Sequence, residues 1–346
     1  MEQRKIMSLG RSSLVIALPK EWIRLNELEK GDVVSLDVKY DRSLSIFPSL
    51  EKKWEEQSTT LTIDPDEKDR IIARRIIACY LNGYSGIRLV STGIFSASQQ
   101  NAIRDIARTL YMRIMESDAK QIFVETLAEE SKPQIESSIS RMHTISSSMC
   151  QDIFTALKNR DISMAKTVVT LDDDVDHFSF FLLRLLRNAA VDSALATQLA
   201  IDPVDCLDYQ TLVNRIEEVA DKAVYIANNL IMLEGRQEKI SKTILERIYT
   251  AGVNALATYD KAVNALLAKD ITNCDEIIEF QTIKIEEFDR EIASLPLTEE
   301  KDAQILCALD RIRDSIKRIA GCAAEIAEIT IDQSYKLSRA QKEYRM

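Results

Sequence analysis

Glu217 and Asp221 are the residues with which to begin, because they stand four apart inside NRIEEVADKAVYIANNL (214–230). The apolar residues of that stretch, Ile216, Val219, Ala220, Ala223, Ile226, Ala227 and Leu230, recur at the three- and four-residue steps that place side chains on one helical face. That face is expected to be buried in a helical bundle. The acidic pair then lies side by side at the edge of the apolar stripe, where two like charges cost a few tenths of a kcal/mol. Two kinds of compensation are open. One is solvent, together with a Glu218–Lys222 pair at the same spacing; the other is a bound cation or a facing basic group.

The stretch has a second copy. SIKRIAGCAAEIAEI (315–329) superposes on it at an offset of 100, with Ile316, Ala320, Ala323, Ile326 and Ala327 matching Ile216, Ala220, Ala223, Ile226 and Ala227. A second pair of segments, Ala156-Leu157 with Asp161-Ile162-Ser163 and Ala265-Leu266 with Asp270-Ile271-Thr272, agrees at an offset of 109. A duplicated helical unit follows. The first copy carries the longer middle connection, near 189–209. Six long helices are expected, 135–160, 163–191 and 205–234 in the first bundle and 241–269, 272–295 and 299–335 in the second, with short connections.

At these residues the chain resembles the PhoU family of phosphate uptake regulators, whose repeats are three-helix bundles with an E-x-x-x-D motif, here Glu217 to Asp221. The family's other acidic cluster is similar to Leu171-Asp172-Asp173-Asp174-Val175-Asp176. Asp is a poor residue for the middle of a helix, so this run asks for a reason. One reason is that Asp172 caps a helix and its neighbours use the N-terminal dipole. Against it, Ser163 is the better cap, and Met164, Val168 and Leu171 already keep helical spacing. Asp172, Asp176, Glu217 and Asp221 are then four carboxylates on neighbouring helices, an oxygen-only set suited to hard cations or iron. The resemblance implies iron or zinc clusters there, with other divalent cations still open. In the second copy Lys317 and Gly321 replace the acidic pair, so a symmetric pair of clusters is not expected, and Glu286 with Asp289 would make only a weaker acidic patch.

Composition bounds the rest. The 346 residues carry a net charge of −10, are 46% hydrophobic and contain 8 Gly and 6 Pro, too few breakers for a β protein. No run approaches the roughly 20 apolar residues that span a bilayer, and the opening MEQRKIMSLG lacks a signal-peptide core. A cytoplasmic protein without membrane insertion is expected. Six scattered cysteines, with no C-x-x-C spacing, suggest neither a zinc finger nor a disulfide frame and read as small core residues. His143 and His177 are the two histidines; His177, beside Asp176, is either a metal ligand or a surface helix residue. No nucleophile elbow, phosphate loop or E-x-x-H pair is present, so an enzyme is not expected.

The basic charge is concentrated at the start. Arg4, Lys5, Arg11, Lys20 and Arg24 meet one acid, Glu21, over that span, and a confined basic patch suits DNA phosphates. Residues 4–49 read as a strand, a turn at Gly10, a strand from Ser13, a short helix opened by Pro19, a turn at Gly31-Asp32 and strands 33–38 and 44–47. So small a unit buries little and is expected to need a partner. Gly10-Arg11-Ser12, Leu18-Pro19-Lys20-Glu21-Trp22 and Leu28-Glu29-Lys30-Gly31-Asp32 resemble the AbrB/SpoVT swapped-hairpin family. That resemblance implies an intertwined homodimer with Arg4, Lys5, Arg11, Lys20 and Arg24 on DNA. The competing reading is a dimerisation module whose cations balance Glu27, Glu29 and Asp32.

Between these parts, a charged linker (51–56), strands at 59–63, 87–90 and 121–126 and helices at 67–81 and 96–112 read as a small α/β connector without a nucleotide fingerprint. The expected fold is mainly α: tandem three-helix repeats at 133–236 and 237–337, preceded by a β domain at 1–49 and the α/β connector at 50–132, with a tail at 338–346. Two functions are implied. One is a DNA-binding transcription regulator of phosphate uptake and homeostasis. The other is a cytosolic adaptor on a phosphate ABC transporter or sensor protein, in which the first domain only dimerises.

Overall fold

The computed structural model describes residues 3–10, 13–38, 42–48, 57–126, 135–290 and 302–336. The chain divides into two compact units, 1–54 and 55–346. Arg11, the charged linker, the tail and the last residues of the expected 272–295 helix lie outside the described residues.

In the first unit two antiparallel hairpins flank a short helix. Strand β1 (Met7–Leu9) pairs with β2 (Ser13–Val15) across Gly10, whose φ of 71° is the left-handed conformation that glycine adopts without strain. Helix α1 (Lys20–Leu25) starts after Pro19, and β3 (Ser35–Val38) pairs with β4 (Leu44–Phe47). Ile6, Leu9, Leu14, Leu36, Val38 and Val33 are each more than 60% exposed, Val33 reaching 85%. Phe47 alone is buried among the described residues of this unit, so the apolar faces of both hairpins lack a core to cover them.

The second unit opens with a four-stranded sheet of order β5-β6-β8-β7, made by β5 (Ser58–Ile63), β6 (Gly86–Ser91), β7 (Met112–Ser117) and β8 (Gln121–Thr126). β5 and β6 run parallel, joined by helix α2 (Asp69–Leu81); the other pairings are antiparallel. Helix α3 (Ala97–Thr109) begins with a capping box between Ser96 and Gln99. Its end corrects the sequence reading, which carried the helix through Met112. Tyr111 takes a left-handed φ of 52°, which stops the helix without a glycine and frees 112–117 to form a fourth strand.

The helical half contains α4 (Ile135–Asn159), α5 (Ile162–Thr170), α6 (Asp172–Val191), α7 (Ser193–Gln198) and α8 (Pro203–Met232) in the first repeat. The second repeat has α9 (Lys242–Ala268), α10 (Cys274–Glu279) running on through a π-helical turn (Phe280–Ile285), and α11 (Ala303–Ser334). Two expectations change here. The helix expected over 163–191 is two helices meeting at Leu171, and the cap is Asp161, whose carboxylate accepts from the Met164 N–H, rather than Ser163. The long connection holds α7, and Pro203 occupies the first turn of α8 behind an Asp202–Asp205 capping box, a position where its missing N–H costs nothing.

All seven apolar residues of the 214–230 stripe are at most 1% exposed. They join one continuous core through both repeats, because α4 packs on α9 and α8 on α11. Gly252 on α9 lets α4 pack tightly against it: a Cβ there would stand 2.6 Å from the buried Phe154 ring of α4. Cys150, Cys206, Cys274 and Cys322 are buried as expected, Cys79 is half-buried, and Cys307 departs from the expectation by being exposed.

Candidate functional site

Residues 172–174 form the first turn of α6. The helix tightens just before it through short-range bonds, from the Leu171 N–H to the Val168 carbonyl at 3.1 Å and from the Asp174 N–H to the Leu171 carbonyl at 3.2 Å. Asp172 therefore does not cap the helix. Its charge sits at the N-terminal end, which the helix dipole favours. Helix α6 packs along α8 and brings Asp172 and Asp176 to Glu217 and Asp221, as the electrostatics show. Burial, then Asp221 and Asp173, push Asp172 up to about 6. Burial, then Asp172 and Asp221, push Asp176 up to about 6. Glu217 is pushed up to about 7, by burial first and then by Asp221, Asp176 and Asp172. Asp221 is raised too, by burial, with Lys222 pulling the other way.

Among the described residues no hydrogen bond or ion pair reaches any of these four carboxylates, and the Glu218–Lys222 pair, part of one of the two compensations left open, does not form. Glu218 turns instead to the second repeat. Arg318 of α11 donates to both its oxygens, at 2.5 and 2.7 Å, and Arg215 donates to it at 2.6 Å. Arg215 and Arg318 also both reach Glu325, the latter at 2.6 Å. Lys222 lies over the Tyr225 ring at 5.9 Å. An open groove of about 590 Å³ runs beside the cluster, lined by Arg215, Glu217, Glu218, Asp221, Lys222 and Tyr225 among others.

The donor chemistry fits a hard divalent cation, since four oxygen-only side chains sit half-withdrawn from water with their mutual repulsion unrelieved. Among the described residues, however, no three His, Cys, Asp or Glu side chains are grouped so as to hold a metal ion. The four form a focus of negative charge and not a closed coordination shell.

The sign of the pH dependence follows. Groups with raised folded values stabilise fully below their ordinary values of 3.8 to 4.5, and that contribution is lost as pH rises through about 6 to 7. In ion-free buffer the chain is therefore expected to lose stability between pH 5 and pH 8 at this site. Glu217→Gln should flatten the loss, raising stability at pH 8 by about 1 kcal/mol after allowance for solvent screening. Thermal melts at both pH values check it. Equal gains at pH 5 and pH 8 would show that repulsion is not the cause.

His177 is half-buried and packed against the α/β layer. It stacks on Tyr111 with ring centroids 3.4 Å apart and lies 3.2 Å by Nδ1 from the Thr109 carbonyl. Beyond it, Arg184 donates to the carbonyls of Tyr80, Gly83 (2.9 Å) and Tyr84 (2.8 Å) at the end of α2, and Arg187 to Asn82. The helix that carries Asp172 and Asp176 is thus also the seat of the α/β layer. Sequence reading missed this role, because an arginine on a helix says nothing of distant carbonyls. The Glu218–Arg318 bond did leave a trace: opposite charges stand at matched positions of the two copies.

In the second repeat the expected acidic patch is closed. Lys317 lies 2.7 Å from Glu286 and 3.7 Å from Asp289, and Arg313 lies 3.0 Å from Asp289.

In the first unit Arg4, Lys5, Lys20 and Arg24 are all exposed. Lys5, Lys20 and Arg24 carry no ion pair among the described residues. Asp32, one of the acids that might have balanced them, accepts the Glu29 N–H at 2.7 Å.

Residues 139–230 match the family model for the PhoU domain. This PhoU-like segment runs from α4 to α8 and holds all four carboxylates. A solved structure of PhoU from Pseudomonas aeruginosa is similar at 18% identity and a TM-score of 0.48, over 57% of this chain and 93% of that one. No curated protein matches the chain. No helix among the described residues is long and apolar enough to cross a membrane.

Proposed function

We propose that this chain is a DNA-binding transcription regulator of phosphate uptake and phosphate homeostasis. The PhoU-domain match over 139–230 carries the phosphate half of this reading. The DNA half is supported by the first unit, which keeps its basic side chains exposed on a protein of net charge −10. Phosphates of a nucleic acid are the partner that such a patch attracts, through release of condensed counterions. The uncovered apolar faces of the two hairpins suit a homodimer through this unit, because a second copy of the same surface would bury them.

In the helical half, Asp172, Asp176, Glu217 and Asp221 would hold a divalent cation, iron or zinc being the first to test. A bound cation would relieve their repulsion and offer positive charge to an anion such as phosphate. Nothing in this reading requires the chain to be an enzyme.

The test keeps the fold and removes the charge. The intact chain and a variant with Arg4, Lys5, Lys20 and Arg24 all replaced by Ala are mapped on chromatin in phosphate-replete and phosphate-starved cells. Discrete sites upstream of transporter genes, lost in the variant, are expected. No enriched site under either condition, with co-purification of a phosphate ABC transporter or sensor instead, would establish the adaptor reading.

A further inference from the structure

Helices α2 and α3 follow two parallel strands, β5 and β6, and pack side by side on one face of the sheet, so they run in the same direction. The Ser98 hydroxyl donates to the Asp69 carboxylate and sets their first turns level. Ile72, Ile76 and Tyr80 on α2, and Gln99, Ile103 and Ala107 on α3, are buried. Helical spacing then turns Arg70 and Arg74, and likewise Arg104 and Arg108, to the solvent side, where all four are exposed.

Most of this charge is unanswered. Each helix carries two arginines one turn apart, a spacing at which like charges oppose the helix. The two acids of these helices are occupied, Asp69 with Ser98 and Asp105 with Arg108 at 2.7 Å. Arg75, the remaining arginine, turns away to Glu67 at 3.0 Å and to the Thr62 carbonyl at 2.9 Å. Among the described residues no carboxylate pairs with Arg70, Arg74 or Arg104. Three guanidinium groups therefore share one face of a chain whose net charge is −10.

We infer that the outer face of α2 and α3 is a second nucleic-acid contact, in which Arg70, Arg74 and Arg104 bind phosphates of the duplex held by the first unit. The inference rests on the DNA-binding reading given above. Residues four apart stand about 6 Å apart along a helix and packed helices about 10 Å apart, an extent over which a duplex presents several phosphates. A guanidinium fork also matches phosphate oxygens two at a time. A membrane surface fits less well, because a helix lying in lipid needs a broad apolar face. Ile71, 44% exposed, is the one large apolar side chain that these two helices leave in water. Only residues 49–56 lie between the described parts of the two units, and so short a tether gives a duplex on the first unit a high effective concentration at the second.

The measurement is fluorescence anisotropy of the full chain on a labelled duplex of mixed sequence, repeated over a series of KCl concentrations. Arg70→Ala, Arg74→Ala and Arg104→Ala made together should reduce the slope of log K against log salt by about 2 to 3 and weaken binding about tenfold near physiological salt. Lys at the same three positions should recover the slope, because the charges return. If the parent binds no duplex, the DNA reading and this inference fall together. If the parent binds and loses the duplex when Arg4, Lys5, Lys20 and Arg24 become Ala, while the triple Ala variant on α2 and α3 keeps the parent's slope, the inference alone falls. A triple variant that keeps the slope on DNA but loses the parent's binding to vesicles of phosphatidylserine and phosphatidylcholine would give the face to a membrane surface instead.

Discussion

Arg318→Ala is expected to destabilise the helical half by about 3 kcal/mol at neutral pH, more than any substitution of an exposed charge elsewhere in it. Charge-assisted hydrogen bonds are worth about 1.5–3 kcal/mol each, and breaking a pair strands the partner carboxylates. Arg318 makes two such bonds to Glu218 and one to Glu325. Its side chain is 32% exposed and that of Glu218 25%, so water recovers part of the loss. The bonds from Arg318, helped by Arg215 and opposed by burial, hold Glu218 down at about 2. A lowered folded value stabilises in full above the ordinary 4.5 and is lost as pH falls toward 2. The gap between variant and parent should therefore be full above pH 5 and close below it. Denaturant melts at pH 7 and pH 3 measure this. A gap that stays constant with pH would mean that Arg318 acts through packing alone.

Arg184→Ala is expected to loosen the α/β layer from the bundle. The guanidinium forks onto the carbonyls of Tyr80, Gly83 and Tyr84 at and just beyond the end of α2. It also covers the Tyr80 ring at 4.6 Å from the centroid. Removing it should cost about 3 kcal/mol and speed hydrogen exchange at residues 80–84 and 109–111, with little change in α9 and α11. Arg184→Lys should recover less than half, since one ammonium cannot reproduce a planar fork. Exchange at 80–84 unchanged in Arg184→Ala would remove Arg184 as the anchor.

How far the sequence could be read depended on the range of the interaction. The stripe from Ile216 to Leu230 and its copy from Ile316 were legible because burial of one helical face imposes a period on neighbouring residues. The turn at Gly10 and the Pro19 helix start were legible for the same local reason. The break at Leu171 and the stop at Tyr111 were not, since neither carries a proline or glycine. Both follow from what the chain must meet next: α6 must turn along α8, and strand β7 must reach β8.

At the candidate site the sequence alone determined the carboxylates, their helical spacing, the duplication, and the loss of the acidic pair at Lys317 and Gly321. Tertiary structure decided which charges meet. It sent Glu218 to Arg318 and not to Lys222, paired Lys317 with Glu286, gave His177 to Tyr111, and left Asp172, Asp176, Glu217 and Asp221 facing one another. Spacing along a helix fixes which side chains share a face. Which opposing helix that face meets is settled by packing among elements up to about a hundred residues apart in the chain, and the strength of a charge pair depends on that distance and on the water it excludes.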